Sequence, residues 1–236
     1  MAQQPPSATA IFQQFISPPP RFRFELASNK VCSILSQKDQ LVWIKFGSMI
    51  AYTGQFDFSR EGIFEHGVGK ALKEGLTSEG MTLVKATAKA DNSTVYVADD
   101  GKKVMNFYLQ AGESVLVNGD DVLAFEATVK WDIKMLRSVS GLMQGGLFNV
   151  QLTGPGFISV TTESDPIVLP VNGSVTTDPQ NTVMWTSSLN VSLQTNIKLK
   201  ALFGRSSGEE LQMNFTGQGY VLVQPVEEFR NRKPKQ

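Results

Sequence analysis

"GGLFNVQLTGPGFISV", residues 145–160, holds four glycines and one proline among bulky apolar residues. Two interpretations compete: a glycine-rich loop that holds phosphate, or the corner between two strands. A phosphate loop needs a helix directly after its glycines, so that free backbone N–H groups face the anion. Here the apolar run FISV follows, and the stretch contains neither G-x-G-x-x-G nor Gly-Lys-Ser/Thr. The stretch therefore predicts two strands joined at a tight corner, where glycine permits close backbone approach.

The same pattern recurs later in the chain. The segment EELQMNFTGQGYVLV at 209–223 aligns without a gap with GLFNVQLTGPGFISV at 146–160. Both segments contain Thr-Gly-x-Gly between two apolar runs, so each predicts a strand, a corner and a second strand. The predicted structural turns are Gly154, Gly156, Gly217 and Gly219.

A third, less regular version lies nearer the N-terminus. In MTLVKATAKADNSTVYV (81–97), Leu83 takes the place of Phe148 and Leu211, and a longer polar turn replaces the glycines. Apolar residues at spacing 0, +4, +6 also precede each version: Tyr52/Phe56/Phe58, Phe125/Val129/Trp131 and Trp185/Leu189/Val191. Internal self-similarity is typical of repeat architectures. The sequence therefore predicts three tandem copies, at about 31–97, 104–160 and 168–225.

The rest of the chain sets the boundaries of the domain. We expect one domain over 26–225, preceded by a Pro/Gln-rich arm at 1–25 and followed by a charged tail at 226–236. Short runs that alternate apolar with polar residues are frequent, and long amphipathic helices are absent. These patterns predict an all-β fold.

Composition narrows the class of function. Twenty-two basic and twenty-two acidic residues cancel, which argues against a global field that attracts nucleic acid or anionic lipid. Cys32 is the single cysteine, so an internal disulfide framework and a multi-cysteine zinc site are excluded. No uninterrupted apolar run reaches 18 residues, and the first twenty residues contain neither Lys nor Arg. We therefore expect a cytoplasmic protein.

The ordered series of motifs resembles the altered-inheritance-of-mitochondria family, also called the mitochondrial-biogenesis domain. The matching pieces are GSMIAYTGQFDF (47–58), GLTSEGMTLVKA (75–86), TVYVADDGK (94–102), LVNGDDVLAFEATV (116–129), GLMQGGLFNVQLTGPGFISV (141–160) and MNFTGQGYVLVQP (213–225). The resemblance implies three short double-sheet jelly rolls around a pseudo-threefold axis, similar to the ring-forming tryptophan-RNA-binding attenuation protein (TRAP-like). It implies little about activity: eukaryotic members are linked to the organisation of the mitochondrial inner membrane, and bacterial members have no established activity.

Candidate catalytic groups are few. His66 is the single histidine, and no G-x-S-x-G motif accompanies it. Adjacent carboxylates occur at Asp99/Asp100, Asp120/Asp121, Glu209/Glu210 and Glu227/Glu228. Neighbours on a strand point to opposite faces, and the first two pairs lie in predicted turns, so we expect solvated turns. A glycosidase-type pair or a Ca²⁺ site stays open as the alternative. The sequence thus predicts no catalytic, cofactor-binding or metal-binding residue, and no cofactor.

Basic residues recur in the connector before each glycine pair. They are Lys70, Lys73, Lys134, Arg137, Lys198, Lys200 and Arg205. If a pseudo-threefold axis relates the copies, these cations gather on one face that could meet phosphate, acidic lipid or RNA. The alternative is a set of solvated connectors.

These observations predict a non-enzymatic scaffold or binding protein that supports membrane-associated assemblies. The first alternative is a module that binds a small ligand or carbohydrate, because jelly rolls host such sites. The second is binding of RNA or anionic lipid by the basic face. We also expect a homo-oligomer, whose contacts include Leu142, Met143, Leu202 or Phe203, because these residues lie in apolar connectors.

Overall fold

The computed structural model describes residues 23–60, 82–136, 147–195 and 211–225. Their strands are β1 (Phe24–Ser28), β2 (Val31–Ser36), β3 (Leu41–Lys45), β4 (Met49–Thr53), β5 (Phe56–Arg60), β6 (Leu83–Ala88), β7 (Ser93–Val97), β8 (Lys103–Leu109), β9 (Ser114–Asn118), β10 (Val122–Glu126), β11 (Lys130–Leu136), β12 (Leu147–Thr153), β13 (Gly156–Thr162), β14 (Ile167–Thr177), β15 (Thr182–Thr186), β16 (Asn190–Thr195) and β17 (Leu211–Val223). Two 3-10 turns, Gly119–Asp121 and Pro179–Asn181, precede β10 and β15. No α-helix occurs in these ranges, so the predicted all-β fold is confirmed.

The strands form three antiparallel sheets. The first has four strands in the order β1-β2-β7-β4, and the second has six in the order β5-β6-β3-β10-β13-β8. The third runs β11-β12-β9-β15-β17-β14, with β16 also paired to β17. Many consecutive strands belong to different sheets, so the chain passes repeatedly from one sheet to another.

Alternation of apolar and polar residues explains the strands. In β2, Cys32 and Ile34 are buried while the residues between them are half-buried, and β7 buries Val95 and Val97 in the same way. Successive side chains of a strand point to opposite faces, so each strand delivers every second residue to a core. Three buried clusters result, centred on Ile34, on Phe125 and on Trp185 with Phe215.

The corner at Gly154 lies between two strands, as the opening motif predicts. β12 belongs to the third sheet and β13 to the second, so the corner carries the chain between sheets. A Cβ on Gly154 would lie 2.4 Å from the carbonyl oxygen of Gln110 and 2.6 Å from that of Leu109. Gly156 has φ +148°, in the region that favours glycine. Close approach of backbone therefore requires glycine at 154, and conformation favours it at 156.

The corner predicted at Gly217 and Gly219 differs from this arrangement. Both residues lie inside β17, which continues unbroken through Leu211–Val223, so the prediction of two separate strands is wrong here. Gly217 has φ +111° and lies opposite Gly173 in β14. Strand β14 pairs with β17 along its whole length, and this continuous partner satisfies the backbone through the bend. The two glycines bend one strand instead of ending it.

Several predictions concern residues outside the described ranges. These are the arm as far as residue 22, the tail, His66, Lys70, Lys73, Arg137, Lys198, Lys200, Arg205, the carboxylate pairs Glu209/Glu210 and Glu227/Glu228, and the expected contact residues Leu142, Met143, Leu202 and Phe203. Among the residues that the structure describes, no helix has the length and apolar character needed to cross a membrane.

Candidate functional site

A cleft of about 670 Å³ opens beside the two 3-10 turns. Four of its lining residues carry amides: Asn118, Asn149, Gln180 and Gln224. Its charged lining residues are Lys102, Asp120, Asp121 and Glu163, and Thr182 adds a hydroxyl. Its apolar lining residues are Leu147, Phe148, Pro179, Trp185 and Met213. A cavity with apolar walls and a few convergent polar groups is the usual form of a small-ligand site.

Side-chain caps hold the two turns that border the cleft. The side-chain oxygen of Asn118 accepts a hydrogen bond from the backbone N–H of Asp120 at 3.2 Å. In the other turn, the carboxylate of Asp178 accepts one from the backbone N–H of Gln180 at 2.8 Å. Asn and Asp are favoured at such positions because their short side chains reach the free N–H groups. Each turn thus presents polar residues to the cleft just before a buried strand begins.

An ionic cluster forms one wall. The Nζ of Lys102 donates to Oδ1 of Asp121 at 3.0 Å and lies 3.9 Å from Asp99 and 4.0 Å from Glu163. The Nζ of Lys45 donates to Asp99 Oδ2 at 2.9 Å and to the backbone oxygen of Asp120 at 2.7 Å. Both lysines are therefore engaged by carboxylates.

Asp121 is the most deeply buried charge of this cluster, with 4% of its side chain exposed. Burial raises its pKa from 3.8 to about 6, and the attraction of Lys102 offsets only part of that effect. Burial acts to lower the pKa of Lys102, but the charge and hydrogen bond of Asp121 together with the charges of Asp99 and Glu163 outweigh it, and the pKa is raised. The pair is charged at pH 7, and Asp121 takes up a proton as the pH falls through 6.

Trp185 supplies the second unusual group. Its side chain lines the cleft, is 2% exposed and stacks edge-on against Phe215 at 5.4 Å between ring centroids. The indole Nε1 is buried and has no hydrogen-bond acceptor among the described residues. Buried indole N–H groups nearly always have a partner. An unsatisfied donor on a residue that lines a cleft is therefore a feature that needs an explanation.

Comparison with known proteins supplies the family. The sequence model named mitochondrial biogenesis AIM24 matches residues 22–226. The chain belongs to the AIM24 family. The resemblance carried by the sequence motifs is thereby confirmed. No curated protein matches the chain.

Among solved structures, the AIM24-family chain is similar to the crystal structure of protein SPYM3_0169 from Streptococcus pyogenes. The TM-score is 0.67 at 18% sequence identity, and the match covers 88% of this chain and 94% of that one. At this level of identity the similarity supports the fold alone.

The structure revises one prediction about the acidic pairs of the AIM24-family chain. Asp120 is exposed, as expected of a solvated turn, but Asp121 is buried and ion-paired, so that expectation is wrong for Asp121. The cause is Lys102, which comes from a different turn and covers the carboxylate. Asp99 is likewise paired, with Lys45. The local sequence carries no signal of either partner.

The predicted basic face has one member in the described ranges. Lys134 lies on β11 and pairs with Asp132 Oδ2 at 2.7 Å, with 44% of its side chain exposed. The other six cations lie outside the described residues. In the part of the chain that the structure describes, no three His, Cys, Asp or Glu side chains group as metal ligands would.

Proposed function

We propose that the protein is a non-enzymatic binding protein whose cleft takes a small, neutral, polyhydroxylated ligand such as a sugar. The observation that carries the proposal is the buried indole N–H of Trp185, which has no acceptor among the described residues and lies in a wall rich in amides. A ligand hydroxyl can accept from this group and donate to a neighbouring carboxylate.

The charge of the lining favours a neutral ligand. Three carboxylates and one lysine line the cleft, and that lysine is already paired with Asp121. A phosphate or an acidic lipid headgroup would meet net negative charge, which repels it. Amide side chains offer both donors and acceptors, the combination that matches hydroxyl groups. Phe148 is half-buried and adds aromatic surface for the apolar face of a sugar ring.

The ion pair supports a binding role over a catalytic one. General acid–base catalysis needs a group that is free to exchange its proton with the substrate. The Asp121 carboxylate accepts a hydrogen bond from Lys102, and Lys102 also faces Asp99 and Glu163. These contacts hold the charged groups in place at neutral pH.

Calorimetric titration tests the proposed ligand class. We expect one of a panel of monosaccharides and polyols to bind to the full chain, and inositol phosphate not to bind. Trp185→Phe keeps the aromatic ring and removes the donor, so affinity should fall about five- to tenfold, the effect of one hydrogen bond near 1 kcal/mol.

Trp43→Phe is the matched control, because Trp43 is buried but does not line the cleft. It should leave the affinity unchanged. Absence of binding across the panel would refute the proposed ligand class. Conversion of a bound sugar, followed by NMR in the same mixtures, would refute the non-enzymatic role.

We also propose that the chain is three tandem copies of one six-strand unit. Pairings support this: β2–β7, β3–β6, β4–β7 and β5–β6 correspond in order to β8–β13, β9–β12, β10–β13 and β11–β12. In the third unit β14 and β17 each replace two strands, and β15 and β16 pair with the two halves of β17. The double-sheet jelly-roll form of the unit stays part of the proposal.

The register of these pairs supports equivalence at the level of residues. A shift in register falls at the same point of each unit, after Met49, Val122 and Thr182. This alignment makes Tyr52, Phe125 and Trp185 equivalent, as the sequence spacing predicts. In the first copy Leu83 lies opposite Lys45, and the corresponding pair in the second copy is Asn149 opposite Asn118. Leu83 is therefore equivalent to Asn149, one residue away from Phe148, the residue that the sequence comparison predicts.

An experimental structure tests the three-copy proposal. Residues 31–60, 103–136 and 167–195 should superpose in the register given by Tyr52, Phe125 and Trp185. Non-equivalent positions for these three residues would refute it. A pseudo-threefold ring closed within one chain would also need β14 to pair with β4, and this pair is absent from the described pairings.

Two further expectations remain as proposals. Contact with RNA or anionic lipid depends on connectors outside the described residues, and the described cleft does not favour it. A cytoplasmic location fits the single cysteine, which is buried and unpaired, because reducing compartments keep thiols free.

A further inference from the structure

Strand β4 and the second half of β14 are both edges of the described sheets. Strand β4 ends the four-stranded sheet and pairs with β7 alone. At the other end of the chain, residues 174–177 of β14 pair with β17 on one side alone. An unpaired edge presents rows of free N–H and C=O groups that can accept another strand.

The side chains of β4 are exposed where their counterparts are buried. Ile50 is 58% exposed, while Leu123 and Val183, at the equivalent register shifts, are fully buried. Tyr52 is 50% exposed, while Phe125 and Trp185 are 0% and 2% exposed. Strands β10 and β15 are covered because a strand of the preceding unit pairs with each of them. Among the described residues, no strand pairs with β4 on this side.

The chain itself displays the missing contact twice. Strand β3 of the first unit pairs antiparallel with β10, placing Trp43 opposite Phe125. Strand β9 of the second unit pairs antiparallel with β15 in the same way, placing Leu116 opposite Trp185. In the third unit the strand that corresponds to β3 and β9 is the second half of β14, and no described strand pairs with its outer side. The two unpaired edges are therefore the two halves of one contact.

Neither edge carries the features that usually prevent pairing. Charged residues or proline commonly protect edge strands from association. Among the other edge strands, β1, β5, β8 and β11 contain Glu25, Asp57, Lys103 and Lys130, whereas β16 contains no charge. Residues 49–53 (MIAYT) and 174–177 (SVTT) contain neither a charge nor a proline.

We propose that residues 174–177 of one molecule pair antiparallel with β4 of a second copy of this chain. The register follows from the two internal contacts and places Val175 opposite Thr53, Thr176 opposite Tyr52, and Thr177 opposite Ala51. The inference depends on the three-copy proposal and not on the ligand proposed for the cleft. Because the two surfaces differ, the contact is head-to-tail and generates a ring or an open filament.

Single-cysteine variants of the full chain test the contact. Tyr52→Cys and Thr176→Cys would be mixed under mild oxidation, because opposed residues of an antiparallel pair lie close enough for a disulfide. Native Cys32 is fully buried and should not interfere. We expect a disulfide-linked dimer of about twice 25.9 kDa on a non-reducing gel. Light scattering of the unmodified protein should give a multiple of 25.9 kDa.

Ser192→Cys is the matched control. Ser192 is exposed on β16, an edge strand that also lacks charge. In the first two units the strands that correspond to β16 are β5 and β11, and neither pairs with a strand of another unit, so no contact between units is expected at β16. Mixed with Tyr52→Cys, it should give no dimer above background. Equal cross-linking by Ser192→Cys and Thr176→Cys would overturn the proposed register and with it the proposal.

Two other outcomes would also overturn the inference. One is a disulfide within the double variant Tyr52→Cys/Thr176→Cys with no dimer in the mixture, which would show closure inside one chain. The other is absence of any cross-link between variants that keep the wild-type circular dichroism.

Ala51→Lys gives a second test, because a charge on the edge should reduce the mass to that of one chain. Ala111→Lys, in an exposed turn, should not. Loss of sugar binding with cross-linking intact would contradict only the function proposed for the cleft.

Discussion

At the scale of single residues, environment decides chemistry more than residue type does. Asp120 and Asp121 are neighbours with the same side chain, yet one is exposed and the other is buried beside Lys102. The sequence pattern VNGDD predicts the turn that holds both residues. It could not predict the burial, because Lys102 reaches Asp121 from a separate turn. Local sequence thus predicts the turn that holds these carboxylates but not whether each of them is buried.

The pH dependence of stability should report the buried carboxyl. Burial raises the pKa of Asp121 from 3.8 to about 6, so the folded state binds more protons than the unfolded state between these values. Its contribution to stability is full below about pH 4 and is lost as the pH rises to about 6. The free energy of unfolding of Asp121→Asn, relative to that of the wild type, should therefore rise by on the order of 2 kcal/mol between pH 4 and pH 7.

Urea unfolding at a series of pH values measures this difference. The absolute stability of Asp121→Asn includes a constant loss, because Lys102 keeps its charge without its partner. The slope against pH is therefore the informative quantity. Asp120→Asn is the comparison at the adjacent exposed position and should change the profile only slightly, because the charge of Asp120 is a minor cause of the raised pKa of Asp121. A difference between Asp121→Asn and wild type that does not change with pH would contradict the account of burial.

At the scale of elements, most strands follow from alternation, and the corner at Gly154 follows from its motif. The second corner does not follow, because its outcome depends on β14, a strand more than 35 residues earlier in the chain. Where that partner is continuous, Thr-Gly-x-Gly bends a strand. At Gly154 the flanking strands β12 and β13 pair with two separate strands, β9 and β8, and the same motif ends a strand. The shared Thr-Gly-x-Gly motif thus occurs in different elements.

The two corners should respond differently to the same substitution. A Cβ at Gly154 would lie 2.4 Å from a backbone oxygen, which cannot move without distorting the turn that follows β8. A Cβ at Gly217 would meet nothing closer than 3.6 Å, and strain would come from φ +111° alone. We expect Gly154→Ala to cost about 3 kcal/mol and Gly217→Ala about 1 kcal/mol. Chemical denaturation of both variants measures these values. A larger loss of stability in Gly217→Ala would show that close backbone contact does not make Gly154 the more sensitive position.

At the scale of the whole molecule, the three proposed units are joined by two similar contacts, β3 with β10 and β9 with β15, and the corresponding edges of β4 and β14 have no partner among the described strands. The sequence predicts the number of units through their glycine and aromatic spacing. It does not predict that the described ends remain unpaired, because strand pairing between units is set by geometry in three dimensions. Each internal contact buries an aromatic or large apolar residue, namely Phe125 or Trp185. The equivalent Tyr52 is left half exposed at the end of the series.

Thermal stability should therefore depend on protein concentration. A second copy that binds only the folded chain stabilises it by mass action, so the unfolding midpoint rises with concentration. Between about 1 and 100 μM we expect a rise of several degrees for the wild type, measured by scanning calorimetry. Ala51→Lys places a charge on the β4 edge and should remove this dependence, whereas Ala111→Lys should retain it. A midpoint that stays constant over this range in the wild type would mean that the two edges do not meet between molecules.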